Sequence, residues 1–292
     1  MSNQRVVSDV LPKAGERPVI SDDDLKAQFA QDYVTNVEVN KYDGPTEIIE
    51  LPSKGYFYPE GHPLAEGKIE IKYMTAKEED ILSSATLIKQ GIVIDKLLQS
   101  LIVTKVKYDD LLLMDKNAIF VAARVLAYGN AYQVEITCPA CESKQTDYVD
   151  LSSFEEKTLD WAQFTKGKTT FDFPLPLSKK TVTLKFLTHG DDKIINENLK
   201  SAKKMSKLTG VDPELTTRLR QMIVAVDGNT DPAEIYKFSQ NMLSRDSLAL
   251  REYLKKITPE VDTTFSYECE NCGHTNHKMA VPITVSFFWP GV

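Results

Sequence analysis

The chain has 292 residues, 42% hydrophobic and 26% charged, a balance ordinary for a globular protein with ample core in one large domain or two modest ones. Its net charge is -7 with a pI near 5.3, which argues against a protein that grips nucleic acid through phosphate neutralisation. No apolar run approaches the length of a membrane span, so no membrane span is expected.

Residues 1 to about 20 are polar, carry Pro12, Gly15 and Pro18, and show no periodicity, as expected of an arm without structure of its own. Ser21 followed by Asp22, Asp23 and Asp24 reads as an N-cap and acidic first turn, opening a short helix through about Tyr33. Glu47–Leu51 alternates like a strand and runs into a loop, Pro52 to Pro63, dense in Pro, Gly and aromatics. Ring packing must hold such a loop. Lys68–Tyr73 alternates strictly and predicts a half-buried strand. Thr75-Ala-Lys-Glu78 is a capping box that launches a helix through about Ser83. Further helices are expected over Ile94–Leu101 and from Asp115 to Gly129, the latter burying Ala118, Phe120, Val121, Val125 and Leu126.

Tyr132–Thr137 and Gln145–Leu151 read as strands on either side of Cys138-Pro-Ala-Cys141. Two more strands are expected at Thr169–Phe173 and Thr181–Leu187. Residues 191–257 carry a helical pattern, four helices broken near Gly210–Pro213, Asp227–Pro232 and Ser244–Asp246. Asp191 and Asp192 fit the acidic first turn of a capped helix better than a catalytic acid pair. Thr263–Glu268 enters Cys269-Glu-Asn-Cys272, and His277–Phe288 is expected to leave it as a strand.

The chain's four cysteines thus fall as two C-x-x-C knuckles about 130 residues apart. Zn2+ takes four soft ligands in a tetrahedron, and two matched knuckles supply them. A disulfide pair lacks the signal peptide of an oxidising compartment, and a thioredoxin-like motif needs a helix where these motifs have strands. The expectation is a structural Zn2+ held by Cys138, Cys141, Cys269 and Cys272, with no open position for catalysis. His274 and His277 lie close enough to replace a ligand, but four thiolates already suffice. The predicted fold is α+β: a mixed strand core with a split four-cysteine zinc ribbon and an inserted helical block. Its divisions are 1–44 (arm and short helix), 45–130 (strands, helices and aromatic loop), 131–190 (first half of the ribbon and β region), 191–257 (helical insertion) and 258–292 (second half of the ribbon and final strand).

Enzymatic motifs are absent. Gly167-Lys168-Thr169 has the ending of a phosphate loop, but Ala162 stands where that loop needs its first glycine. There is no G-x-S-x-G, H-E-x-x-H or G-x-G-x-x-G, and the chain is expected not to be an enzyme.

Three features occur in one order: Glu50-Leu-Pro-Ser-Lys-Gly-Tyr-Phe-Tyr-Pro59 with Met74-Thr-Ala-Lys-Glu-Glu-Asp-Ile-Leu82, the split C-x-x-C pair, and Phe287-Phe-Trp-Pro290. Together, over roughly residues 45–292, they resemble the baseplate hub proteins of T4-like contractile-tailed bacteriophages. The resemblance implies a non-enzymatic subunit of the hub or a chaperone that builds it, located in the virion tail baseplate or in the host cytoplasm during assembly. Its partners would be other hub or tail proteins, such as tape measure or central hub subunits, and no nucleic acid. Two aromatic groups are candidate partner contacts: Tyr56, Phe57 and Tyr58 in the loop, and Phe287, Phe288 and Trp289 at the end. Each group equally suits this chain's own core. The alternative function is a zinc-ribbon nucleic-acid-binding or transcription-associated protein, supported by the basic stretch Lys200–Lys207, which a solvated helix face also explains.

Overall fold

Two antiparallel strands, β1 (Thr46–Glu50) and β2 (Lys68–Lys72), open the part of the chain that the computed structural model describes, residues 44–210 and 212–288. The expected N-terminal arm, the helix from Ser21, and Trp289 lie outside the described residues, as do the side chains of Lys203, Lys204 and Lys207. Residues 51–67 cross between the strands by a loop whose backbone folds tightly on itself. A Cβ on Gly55 would sit 2.2 Å from the Ala65 carbonyl oxygen, so only glycine fits there. The rings of this loop pack inward: Phe57 lies 5.0 Å from Phe164 and 4.6 Å from Phe186, and Tyr56 lies 4.7 Å from Trp161.

The capping box launches helix α1 (Ala76–Ser83), the Glu78 carboxylate accepting hydrogen bonds from the Thr75 N–H at 3.0 Å and the Thr75 hydroxyl at 2.6 Å. Helix α2 (Ala85–Gln90), not foreseen in the sequence, follows directly on a Ser84 cap. Helix α3 (Val93–Leu101) then buries Val93, Leu97, Leu98 and Leu101 along one face. Helix α4 (Leu113–Tyr128) buries Ala118, Phe120 and Val121 as expected. Val125 and Leu126 are only half-buried, and Met114, Ile119, Ala123 and Arg124 complete the inner face.

Strands β3 (Ala131–Thr137) and β4 (Lys144–Asp150) form a hairpin around the first knuckle. Strands β5 (Thr170–Pro174) and β6 (Thr181–Lys185) pair antiparallel. The expected helical block comprises α5 (His189–Thr209), α6 (Glu214–Met222), α7 (Pro232–Gln240) and α8 (Ser244–Ile257). The first two breaks fall where the sequence places them, and the third lies at residues 241–243, Ser244–Asp246 forming the first turn of α8. One segment of it is not helical. Ile223–Val226 is strand β7, which joins the edge of β6. Its four apolar residues suit a buried strand as well as a helix, and only pairing with a strand about 40 residues away decides the matter.

Strands β8 (Thr264–Glu268) and β9 (Thr275–Ala280) form the second hairpin. The expected final strand through Phe288 is corrected here. Pairing ends at Val281, whose N–H donates to the Thr263 carbonyl, because Pro282 has no N–H to continue the ladder. The chain instead makes a short helix, α9 (Val285–Phe288).

Candidate metal centre

The two knuckles fold alike. In the first, the Cys138 N–H donates to the Ser143 carbonyl at 2.9 Å, and the Glu142 N–H returns to the Cys138 carbonyl at 2.9 Å. In the second, Cys269 donates to His274 and Gly273 to Cys269, both at 2.8 Å. Each turn closes with a left-handed residue four positions after its first cysteine, Glu142 (φ 58°) and Gly273 (φ 69°). Glu142 therefore adopts a conformation that glycine takes freely in its counterpart.

The structure brings all four predicted ligands together. The sulfurs of Cys138, Cys141, Cys269 and Cys272 lie within 4.8 Å of one another. Cys138 and Cys272 are 3.8 Å apart and Cys141 and Cys269 3.7 Å. Disulfides need about 2.0 Å. A tetrahedron with metal–sulfur bonds of about 2.3 Å has edges of about 3.8 Å, so the spacing fits a thiolate-bound Zn2+. His274 and His277 are not among the ligands: the His274 carbonyl closes the turn, and His277 lies in β9.

Around the sulfurs stand residues that the spacing rule does not single out. The Ser143 hydroxyl lies 3.0 Å from the Cys141 sulfur and 3.4 Å from that of Cys269, and the Asn271 amide donates to Cys141 at 3.5 Å. These bonds, Ser143 foremost, pull the Cys141 thiol down to about 5, and Ser143 likewise lowers that of Cys269. Cys272 moves the other way. The His274 N–H favours its thiolate, but the neighbouring sulfurs and burial outweigh it and push the thiol up to about 12. Four clustered thiols oppose one another's ionisation, and a divalent cation removes that opposition. The buried Tyr267 hydroxyl has no hydrogen-bond partner among the described residues and is a near neighbour of the Cys138 sulfur, a donor suited to a thiolate there. Gln145 ties the halves together: its amide donates to the Glu268 carbonyl at 3.0 Å and accepts from the Glu270 N–H at 3.1 Å. A polar residue leaving one knuckle is the only sequence signal for that role.

Of the aromatic candidates, the five described residues, Tyr56, Phe57, Tyr58, Phe287 and Phe288, pack into this chain's own core, the second of the two readings that the sequence left open. Phe287 and Phe288 are 0% exposed, Phe287 packing on Tyr132 of β3 and Phe288 on Phe120 of α4, because the turn after Pro282 folds them back. Phe57 and Tyr58 are buried, and Tyr56 is half-buried against Trp161. Tyr58 belongs to a polar cluster that sequence reasoning missed. Its hydroxyl donates to Asp115 at 2.8 Å and accepts from the Leu112 N–H at 3.1 Å, while Ser53 gives Asp115 both its N–H and its hydroxyl. Burial pushes the Asp115 carboxyl up to about 6 despite these donors. The buried Glu78 is held the other way. Burial would raise it, but hydrogen bonds from Lys72 (2.7 Å), Ser100 (2.6 Å) and Thr75 bring it down to about 2.

Among the described residues no helix is long and apolar enough to cross a membrane. In comparisons with known proteins, residues 46–289 match the model of a family described as T4 bacteriophage base plate protein. No curated protein and no solved structure matches the chain.

Proposed function

Because the chain belongs to the T4 bacteriophage base plate protein family, we propose that it is a non-enzymatic structural or assembly protein of the tail base plate, stabilised by a structural Zn2+. Within the base plate we assign it to the hub, as a subunit or as a chaperone that helps to build it, with other hub or tail proteins as its partners. The observation that carries the zinc reading is the set of four sulfurs at tetrahedral spacing, contributed by knuckles about 130 residues apart. Four thiolates leave the ion no open position, so it would join two hairpins rather than activate a substrate. The block from α5 to α8 lies between those hairpins in sequence, and the ion would close its root.

Two measurements test this reading. Metal analysis of purified protein should return one equivalent of zinc; less than one, with four titratable thiols, removes the metal. Mass spectrometry of purified virions decides the placement. The chain in tails at a fixed stoichiometry makes it a subunit, and presence in assembly intermediates alone makes it a chaperone. Absence from both overturns the proposal. Micromolar DNA binding that weakens steeply with salt would favour the nucleic-acid alternative instead.

A further inference from the structure

Among the described residues, strand β1 leaves a sheet edge open. The Leu51 N–H donates to the Gly67 carbonyl at 2.8 Å, and the Tyr73 N–H donates to the Pro45 carbonyl at 3.3 Å. With the antiparallel register of β1 on β2, residues 47 and 49 therefore turn their backbone groups toward β2, whereas Thr46, Ile48 and Glu50 turn theirs away. Among the described residues, nothing bonds those outward groups. The far edge of the same hairpin is covered: Val103 and Thr104 donate to the Glu70 carbonyl, and Ile102 bridges Ile71.

Natural edge strands are blunted by charged side chains, lysine above all, by proline, by a bulge or by shortness. The five residues 46–50 are short and carry two glutamates but no lysine, proline or bulge, and Ile48 is 61% exposed. The two charges of the strand are both acidic: Glu47 has no ion pair among the described residues, and Glu50 has only a 3.9 Å contact with Lys68. A second copy of the strand would add like charge to like, while a basic strand would complement it.

We propose that β1 is a docking edge that takes an extended segment of a neighbouring tail protein, with an apolar residue beside Ile48 and Lys or Arg beside Glu47 and Glu50. The identity of the partner rests on the base plate reading above. The occupant would bond the N–H and C=O groups of Thr46, Ile48 and Glu50.

Proline substitution in the full-length chain tests this, because proline removes one N–H at a chosen side of the strand. Ile49→Pro breaks the β1–β2 ladder and should lower Tm by about 10 °C, whereas Ile48→Pro and Glu50→Pro remove outward donors and should lower it by about 3 °C or less. Supplied during infection by a phage that lacks its own copy, both outward variants should cut infectious titre about tenfold or more, and Ile48→Val should not. A photo-cross-linking residue at position 48 should capture a basic, apolar-alternating segment of another tail protein. If Ile48→Pro costs as much Tm as Ile49→Pro, the edge is filled within the chain and the proposal fails. It fails equally if the cross-link joins two copies, or if both outward variants sustain wild-type titre. A wild-type chain that is dispensable for titre would overturn the base plate reading itself, and the docking edge with it.

Discussion

The paired four-cysteine hairpins and the aromatic-loop segment are held together by opposite means. Hairpin β8–β9 buries only Tyr267 among its strand residues, so packing alone gives it little hold on the first hairpin. Four sulfurs and the two-sided amide of Gln145 make the junction. The loop segment instead fills its interior with Leu51, Phe57, Tyr58, Leu64, Ile69 and Ile71, and it satisfies two buried carboxylates with donors of its own. On the proposed function, a junction of the first kind would need its ion, whereas one of the second kind would form whenever the chain folds. The order of one region would then depend on metal and that of the other would not.

Metal removal should separate the two regions most strongly. Structural zinc in finger peptides contributes on the order of 10 kcal/mol, comparable with the whole stability of a typical domain. Chelation, or Cys269→Ser, should expose the amides of β3, β4, β8 and β9 to rapid hydrogen exchange while those of α3 and α4 stay protected. Uniform loss of protection would show that the two regions fold as one unit and would erase the contrast. The next largest effect belongs to the packing by which α9, just after the second hairpin, meets the first hairpin. Phe287 lies 4.9 Å from Tyr132 and is fully buried, so Phe287→Ala should cost about 3 to 5 kcal/mol in denaturant unfolding. If the contrast is sound, that cost appears in zinc-loaded protein and shrinks after chelation, once the hairpin has already come loose.

Glu78→Gln probes the other region. It removes a carboxylate that meets Lys72 and Ser100 and closes the capping box, and it should cost about 3 kcal/mol. Unlike Phe287→Ala, its cost should be the same with and without zinc. A zinc-dependent cost would mean that the loop segment leans on the ribbon.

What was legible in the sequence follows the same division. C-x-x-C and T-x-x-E are local patterns in which ligand or cap spacing is built into a few residues, and both stand in the structure as expected. Strand β7 and helix α9 were not legible, because each is decided by something non-local: a partner strand for Ile223–Val226, and the end of a ladder at Pro282 for Val285–Phe288. Phe287, Phe288 and the loop aromatics carry composition but not direction, and burial alone decides whether they face a partner or the core. In the sequence Asp115 marks only the start of its helix, since Ser53 and Tyr58, which make it a buried hub, lie 62 and 57 residues away.

Titration gives the smallest test and distinguishes the two buried acids. For Glu78 the folded pKa, about 2, lies below its ordinary 4.5, so its contribution is present above pH 4.5 and is lost as pH falls through about 2. For Asp115 the folded pKa, about 6, lies above 3.8, so the fold favours the neutral acid. That contribution is present below 3.8 and lost as pH rises through about 6. Between pH 4 and 7, wild type should therefore lose about 2 kcal/mol relative to Asp115→Asn, whose amide does not titrate. Taking the difference between the two proteins cancels the pH dependence of thiol–metal binding, which both share. Ser53 and Tyr58 aim three donors at Asp115, and these favour the ionised form against burial. A difference that runs the opposite way would mean that the donors outweigh desolvation, and that Asp115 is an ionised anchor for the loop rather than a buried neutral acid.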